Sequence, residues 1–146
     1  MYYAETDVSE LALKEKTEVC TFTEDMSASV DLVYSGGAVN VYGDYVEIED
    51  SADADFLIDG ICIANDALNG DSDNRMILQI SLGAVGSEVT LFTGLFKLNG
   101  DTEEKLPFYY NPKARLEIPK LSRVSMRVKN NSVFVLGYSV DLILAK

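Results

Sequence analysis

An alternation of apolar and polar residues that recurs along the chain is the strongest constraint on its fold. In Ser122–Lys129 the apolar residues are Val124, Met126 and Val128, and polar or charged residues stand between them. Successive side chains of a β-strand point to opposite faces, so this pattern predicts a strand with one face in a core and the other in solvent. The sequence therefore predicts a sheet protein whose strands are covered on one side.

Similar patterns predict about ten short strands, separated by breaks such as Ser35-Gly36-Gly37 and Asn99-Gly100-Asp101 that favour turns. Gly83-Ala84-Val85-Gly86 lies between two such patterns and predicts a tight turn. We expect an all-β fold, an antiparallel β-sandwich of jelly-roll type. The predicted strands are Thr17–Glu24, Ala28–Tyr34, Val39–Tyr42, Tyr45–Glu49, Asp55–Asn65, Arg75–Gly83, Ser87–Leu98, Arg115–Ile118, Ser122–Lys129 and Ser132–Leu144.

The first sixteen residues differ from the rest of the chain because their apolar positions are few and weakly periodic. We expect residues 1–16 to form an extended N-terminal arm and residues 17–146 to form a single β-sandwich domain. No internal repeat or linker divides the chain further.

Three consecutive aromatic residues, Phe108, Tyr109 and Tyr110, lie between two prolines. The prolines deny hydrogen-bond donors to a ladder, which favours an extended loop or an edge strand. Side chains of an extended segment alternate between faces, so a thin sandwich cannot bury all three rings in one core. We expect at least one of these rings to contact a partner.

Composition excludes several functional classes. The chain has no His, which removes imidazole bases and His-bound metals, and its formal net charge of −12 disfavours nucleic acid and anionic membranes as partners. It has no run of apolar residues long enough to span a membrane, and its opening residues lack the features of a secretory signal.

We expect a cytoplasmically synthesised protein that is not an enzyme and has no cofactor or metal. We also expect Cys20 and Cys62 to be buried free thiols.

Charge is distributed unevenly along the chain. Residues 1–60 contain fifteen acids and two basic residues, whereas residues 61–146 contain nine acids and ten basic residues. Two interpretations remain open: the basic residues dock on an acidic partner surface, or they pair with the acidic half of their own chain. The basic stripe within seventeen residues consists of Lys113, Arg115, Lys120, Arg123, Arg127 and Lys129.

Two acidic groups contain oxygen ligands of the kind that Ca²⁺ takes. The second group resembles the start of a calcium loop, but Ile80 stands where such a loop needs a bidentate Glu, so we expect solvated turns. Whether these loops bind Ca²⁺ remains open at this point. The groups are Glu47, Glu49, Asp50, Asp53, Asp55 and Asp59, and Asp66, Asn69, Asp71, Asp73 and Asn74.

From Asp55 onward the order of features resembles virion structural proteins of tailed bacteriophages, in particular small capsid decoration (cement) proteins and head or tail accessory proteins. The resemblance covers about 90 residues. The segments that carry it are Phe56-Leu57-Ile58-Asp59-Gly60-Ile61, Gly86-Ser87-Glu88-Val89, Leu106-Pro107, Ile118-Pro119, Ser122-Arg123-Val124 and Met126-Arg127-Val128.

This resemblance implies a jelly-roll-like module without catalytic residues, located in the virion after synthesis in the host cytoplasm. Such proteins clamp neighbouring major capsid subunits from outside and are commonly trimeric. We therefore expect a non-enzymatic cement protein whose partners are the major capsid protein or another virion protein, and a homo-oligomer, with a trimer favoured. The partner-binding residues are predicted to be Arg115, Lys120, Arg123, Arg127, Lys129, Phe108, Tyr109 and Tyr110.

Two other functions stay open. The first is a sugar- or receptor-binding β-sandwich module of a tail or adhesin, using the tyrosines and the Asp-rich loops. The second is a hydrolase based on two carboxylates, although nothing in the sequence positions any two of the 24 acids for this chemistry.

Overall fold

The structure, a computed structural model, describes residues 19–20, 32–65, 74–98 and 108–146. Every regular element in these residues is a β-strand. The strands are β1 (Val19–Cys20), β2 (Leu32–Tyr34), β3 (Val46–Glu49), β4 (Phe56–Asn65), β5 (Asn74–Leu82), β6 (Val89–Leu98), β7 (Phe108–Tyr110), β8 (Glu117–Ile118), β9 (Val124–Asn130) and β10 (Gly137–Ala145).

The strands form two antiparallel sheets that pack face to face. In sheet A, β10 lies beside β4; β1 and β2 pair with the other edge of β10, and β7 and β8 pair with the other edge of β4. In sheet B the order is β3-β9-β5-β6. This arrangement confirms the predicted all-β antiparallel sandwich, while the jelly-roll connectivity stays a prediction.

The core lies between the sheets and is filled by alternate residues of the long strands. In β9 the buried residues Val124, Met126 and Val128 face it, as the alternation predicted. On β10, Tyr138 is fully buried, and its hydroxyl accepts a hydrogen bond of 3.1 Å from the Asn130 amide. The same amide donates to Ser35 Oγ at 3.0 Å, so the buried polar groups at this end satisfy one another.

The predicted turn between β5 and β6 is confirmed. Gly83 and Gly86 have φ angles of 114° and 81°, in the left-handed region that glycine adopts without a steric penalty. The adjoining strands pair over their full length, from Asn74 opposite Leu98 to Leu82 opposite Val89.

Three predicted strands are wrong in whole or in part, and of Arg115–Ile118 only Glu117–Ile118 forms a strand, β8. Val39–Tyr42 is a loop, because Asn40 has a φ of 62° and the Val41 N–H bonds back to the Ala38 carbonyl at 3.3 Å. The prediction Ser132–Leu144 begins too early, since β10 starts at Gly137. Before it, the Phe134 N–H bonds to Ser132 Oγ at 3.1 Å, a local turn that keeps this segment out of the ladder.

The aromatic segment forms the edge strand β7, which pairs with Ile61–Ile63 of β4. An edge strand was one of the two predicted outcomes. The predicted N-terminal arm, residues 1–16, lies outside the described residues, as does most of the predicted strand Thr17–Glu24.

Candidate interaction surfaces

The outer face of sheet B carries the basic side chains of β9. Because the side chains of β9 alternate, Arg127 and Lys129 point away from the core. They stand directly opposite Gln79 and Ile77 of β5, and side chains opposite each other in a sheet lie on the same face. On this face Arg127 therefore lies beside the polar Gln79, and Lys129 lies beside the apolar Ile77.

Arg123, just before β9, is held by groups of its own chain. Its Nε bonds to Glu47 Oε2 at 2.6 Å, and its Nη1 bonds to the Gly83 carbonyl at 3.1 Å and to Glu88 Oε1 at 3.4 Å. The Arg123 side chain is only 15% exposed. For this residue the structure has the internal pairing that the sequence left open as an alternative to docking.

Arg127 lies between two tyrosine rings. Its Cζ atom is 4.3 Å from the Tyr42 ring centroid and 4.4 Å from that of Tyr45. Its Nε donates to Gln79 Oε1 at 2.6 Å, and the Tyr45 hydroxyl donates to the same oxygen at 3.2 Å. The guanidinium plane is thus fixed on three sides by cation–π contact and a charge-assisted hydrogen bond.

Lys129 contributes a second cation to the same place. Its Nζ is 4.7 Å from the Tyr42 ring centroid. Tyr42, Tyr45, Arg127 and Lys129 are each half-buried, so their outer surfaces remain accessible. We call these four residues the basic–aromatic patch.

The other basic candidates lie elsewhere. Arg115, between β7 and β8, forms an exposed ion pair with Glu117 at 2.7 Å. Lys120 is exposed in the turn before β9, where its backbone N–H bonds to Asp55 Oδ1 at 2.7 Å. The folded chain therefore does not bring the five predicted cations together as one stripe.

Arg115 borders a cavity of about 430 Å³ on the side of sheet A. Its floor includes the buried residues Leu57, Leu116 and Ala145. Polar groups line it as well, and the complete lining is Leu57, Ile58, Asp59, Asn111, Pro112, Lys113, Ala114, Arg115, Leu116 and Ala145.

The aromatic run alternates as predicted for Tyr109 and Tyr110. Tyr109 is 53% exposed and lies against Gly60, where an added Cβ would stand 2.6 Å from the tyrosine hydroxyl. The Tyr110 ring packs on the core, with its centroid 5.3 Å from that of Phe96 in an edge-to-face contact. Phe108 pairs with Ile63 through the backbone.

Cys62 is a free thiol, but it is half-exposed rather than buried as we expected. It stands opposite Asp141 of β10. Burial, and secondly the Asp141 carboxylate, raise the pKa of the Cys62 thiol, so it is a weaker nucleophile near neutral pH than an ordinary cysteine.

The end of β2 and two loops beside it expose a group of large apolar side chains at one end of the sandwich. The loops are joined by hydrogen bonds from Ser35 N–H to the Leu136 carbonyl at 2.9 Å and from Asn40 N–H to the Asn130 carbonyl at 2.8 Å. We call the following residues the apolar end, each between 47% and 65% exposed: Tyr34, Val39, Val41, Val133, Phe134 and Val135.

Sequence reasoning missed the apolar end and the tyrosines of the basic–aromatic patch. One signal was available for the former: Val133-Phe134-Val135 is an unbroken apolar run directly after Asn130-Asn131-Ser132, which does not fit a strand with one polar face. The contact of Tyr42 and Tyr45 with Arg127 had no local signal, because it depends on the register of β3 against β9.

Within the described residues, no group of three or more His, Cys, Asp or Glu could hold a metal ion, and no helix there is long and apolar enough to cross a membrane. No protein-family model, curated protein or solved structure matches this chain.

Proposed function

We propose that this protein is a non-enzymatic structural component of a virion, which decorates a capsid and stabilises it through contacts between subunits. The observation that carries the proposal is the apolar end. Six large apolar side chains, one at the end of β2 and five on the two adjoining loops, form an exposed apolar group, and large groups of this kind mark contacts with other proteins.

Buried hydrogen bonds beneath the apolar end hold its two loops in place, which favours a preformed contact surface. Ser35, Asn130 and Tyr138 are buried and hydrogen-bonded to one another through the Asn130 amide, and the Leu136 N–H donates to Ser35 Oγ at 2.9 Å. A surface held in place before binding loses less conformational entropy when a partner covers it. Burying a Val or Phe side chain completely contributes about 1.5–3 kcal/mol to the free energy of binding. Burying the half-exposed side chains of the apolar end therefore contributes several kcal/mol.

The resemblance to capsid decoration proteins suggests which partners these contacts join. The major capsid protein or another virion protein, together with further copies of this chain, are the proposed partners, with a trimer favoured. The net charge of −12 supports a protein partner over a phosphate backbone or an anionic lipid surface.

Co-sedimentation with intact capsids tests the proposal. Purified protein is mixed with capsids from its native source, and the bound fraction is compared for wild type, Phe134→Ser and Val135→Ser. The control is Val85→Ser, because Val85 is 78% exposed in the β5–β6 turn at the opposite end. We expect both apolar-end variants to bind at least tenfold more weakly and the control to bind like wild type. Equal binding by all four proteins, or none by wild type, contradicts the proposal.

A sugar- or receptor-binding module remains the second candidate, favoured by one observation. The exposed Tyr109 ring lies on Gly60, next in sequence to Asp59 and near Asn111, both of which line the 430 Å³ cavity. An exposed ring beside hydrogen-bonding side chains suits a sugar. Retention on a glycan array that Tyr109→Ala abolishes, without binding to capsids, would favour this function.

A further inference from the structure

The basic–aromatic patch holds a guanidinium in a fixed position before any partner arrives. Two rings and Gln79 restrain Arg127, and Gln79 engages only the Nε–H of its five N–H donors. Among the described residues none bonds to the terminal nitrogens of Arg127, and a planar guanidinium with two such nitrogens binds a carboxylate through two parallel hydrogen bonds. Lys129 adds a second positive charge beside it.

The two cations of the patch differ from Arg123 and Arg115 in the charge of their partners. Arg123 is neutralised by Glu47 and Glu88, and Arg115 by Glu117. Within the described residues, Arg127 and Lys129 form no ion pair: their contacts are with uncharged Tyr and Gln side chains. Their positive charge is therefore available to an acidic partner.

A second copy of the chain carries a suitable acidic surface, which we call the acidic loop, residues 50–55 between β3 and β4. Asp50 and Asp53 are exposed on it. Next to it, burial and, to a lesser extent, the neighbouring Asp50 raise the pKa of Glu49, and an approaching cation would favour the charged form of this carboxylate.

The two surfaces cannot meet within one molecule. Tyr45 of the patch directly precedes β3 and Asp50 of the acidic loop directly follows it, so five steps of about 3.3 Å separate them by about 16 Å along the strand. Buried Ala52 anchors the loop, because its N–H bonds to the Ser122 carbonyl at 2.9 Å and its carbonyl accepts from the Leu121 N–H at 2.7 Å. The loop is thus held away from its own patch.

We propose that the basic–aromatic patch of one copy binds Asp50 and Asp53 of the acidic loop of the next copy. This contact joins two different surfaces, and such head-to-tail contacts close into a ring when the rotation between copies permits. The proposal rests on the proposed function, since it identifies the contact between copies of a decoration protein.

Sedimentation velocity at low and high salt tests the contact with matched charge reversals. One variant carries Arg127→Glu and Lys129→Glu, and the other carries Asp50→Lys and Asp53→Lys. We expect wild type to form an oligomer that high salt weakens at least tenfold, and each variant alone to be monomeric at low salt. An equimolar mixture of the variants should associate again, because a contact between unlike variants joins opposite charges. A closed trimer would keep one contact between like variants, so the mixture should form pairs and even-numbered oligomers.

Lys97→Glu is the control, since Lys97 is exposed on β6, two strands away from β9 on the same sheet. It should leave the oligomer unchanged. Thermal unfolding checks that each variant is folded. If the variant with Arg127→Glu does not fold, the single variants Lys129→Glu and Asp53→Lys are compared and mixed in place of the two double variants. A folded mixture that stays monomeric, an equal effect of Lys97→Glu, or a monomeric wild type overturns the inference.

Capsid binding separates this inference from the proposed function. A monomeric patch variant that still co-sediments with capsids keeps the decoration function and assigns the patch to contacts between copies. A patch variant that forms the oligomer but no longer binds capsids assigns the patch to an acidic capsid surface, and the inference is then wrong. Loss of capsid binding in the apolar-end variants alone bears only on the proposed function.

Discussion

Arg123 joins three parts of sheet B, so its removal should destabilise the fold. Its guanidinium contacts the Glu47 carboxylate of β3 at 2.6 Å, and the Gly83 carbonyl and Glu88 carboxylate of the β5–β6 turn at 3.1 and 3.4 Å. Strand alternation alone places this side chain among solvent-facing cations, whereas in the fold it is 15% exposed and Glu88 is 9% exposed. The perturbation is Arg123→Ala.

The magnitude follows from how much of this network is buried. Removing one partner of a buried ion pair costs about 3–5 kcal/mol, because the other charge is left unpaired, while an exposed pair contributes under about 1 kcal/mol. The Glu88 pair is nearly buried but long, and Glu47 is half-exposed. We expect a loss of about 2–4 kcal/mol, which lowers the Tm of a chain this long by about 6–12 °C.

Urea unfolding of a double-mutant cycle isolates the buried charge. Glu88→Gln neutralises the carboxylate, so in the Arg123→Ala background it should recover about 1–2 kcal/mol, whereas in wild type it should be destabilising. Arg115→Ala is the control, because its pair with Glu117 is exposed on both sides, and it should cost under about 0.5 kcal/mol. If Arg123→Ala costs no more than this control, or if Glu88→Gln shows no coupling, the reasoning is refuted.

Three further predictions concern single positions. The pKa of Glu49 is raised above its ordinary 4.5, chiefly by burial. The stability that the protonated carboxyl contributes is therefore present below pH 4.5 and is lost as the pH rises through the folded-state pKa. Glu49→Gln should raise the Tm at pH 7 and leave it unchanged at pH 3. An added Cβ at Gly43 would stand 1.8 Å from the Tyr34 carbonyl oxygen, so we expect Gly43→Ala to cost at least about 2 kcal/mol in urea unfolding, and an unaltered midpoint would contradict this. Alkylation of Cys62 by iodoacetamide at pH 8, followed by mass spectrometry of its peptide, should be slower than that of glutathione, and Asp141→Asn should accelerate it; the reverse order argues against a raised thiol pKa.

Much of the strand content could be predicted because it depends on local periodicity. The alternation in β9 and the turn at Gly83–Gly86 need only neighbouring residues to specify them. The prediction failed at Val39–Tyr42, where Asn40 adopts a left-handed conformation and the loop bonds to the end of β9. An apolar pattern of four residues does not reveal such a distant partner.

The candidate surfaces were predictable only in part. Alternation predicted that consecutive aromatic rings point to opposite faces, as Tyr109 and Tyr110 do, without saying which ring is buried, and it placed Arg127 and Lys129 on the outer face. It could not distinguish these two cations from Arg123, because that difference depends on which acids lie nearby in space.

The sequence by itself determined that the chain forms a two-layer antiparallel fold, because side-chain alternation along a strand is a property of the backbone and needs no distant partner. Tertiary structure alone decided which charges stay accessible. The Arg123–Glu47 contact joins residues 76 positions apart, and it exists because β3 pairs with β9 in one register. That register places Tyr45 beside Arg127 and places the acidic loop too far from Arg127 for contact within one molecule. The basic residues that follow one another along the chain are therefore divided in space. Arg123 belongs to an internal ion-pair network, whereas Arg127 and Lys129 belong to the accessible basic–aromatic patch.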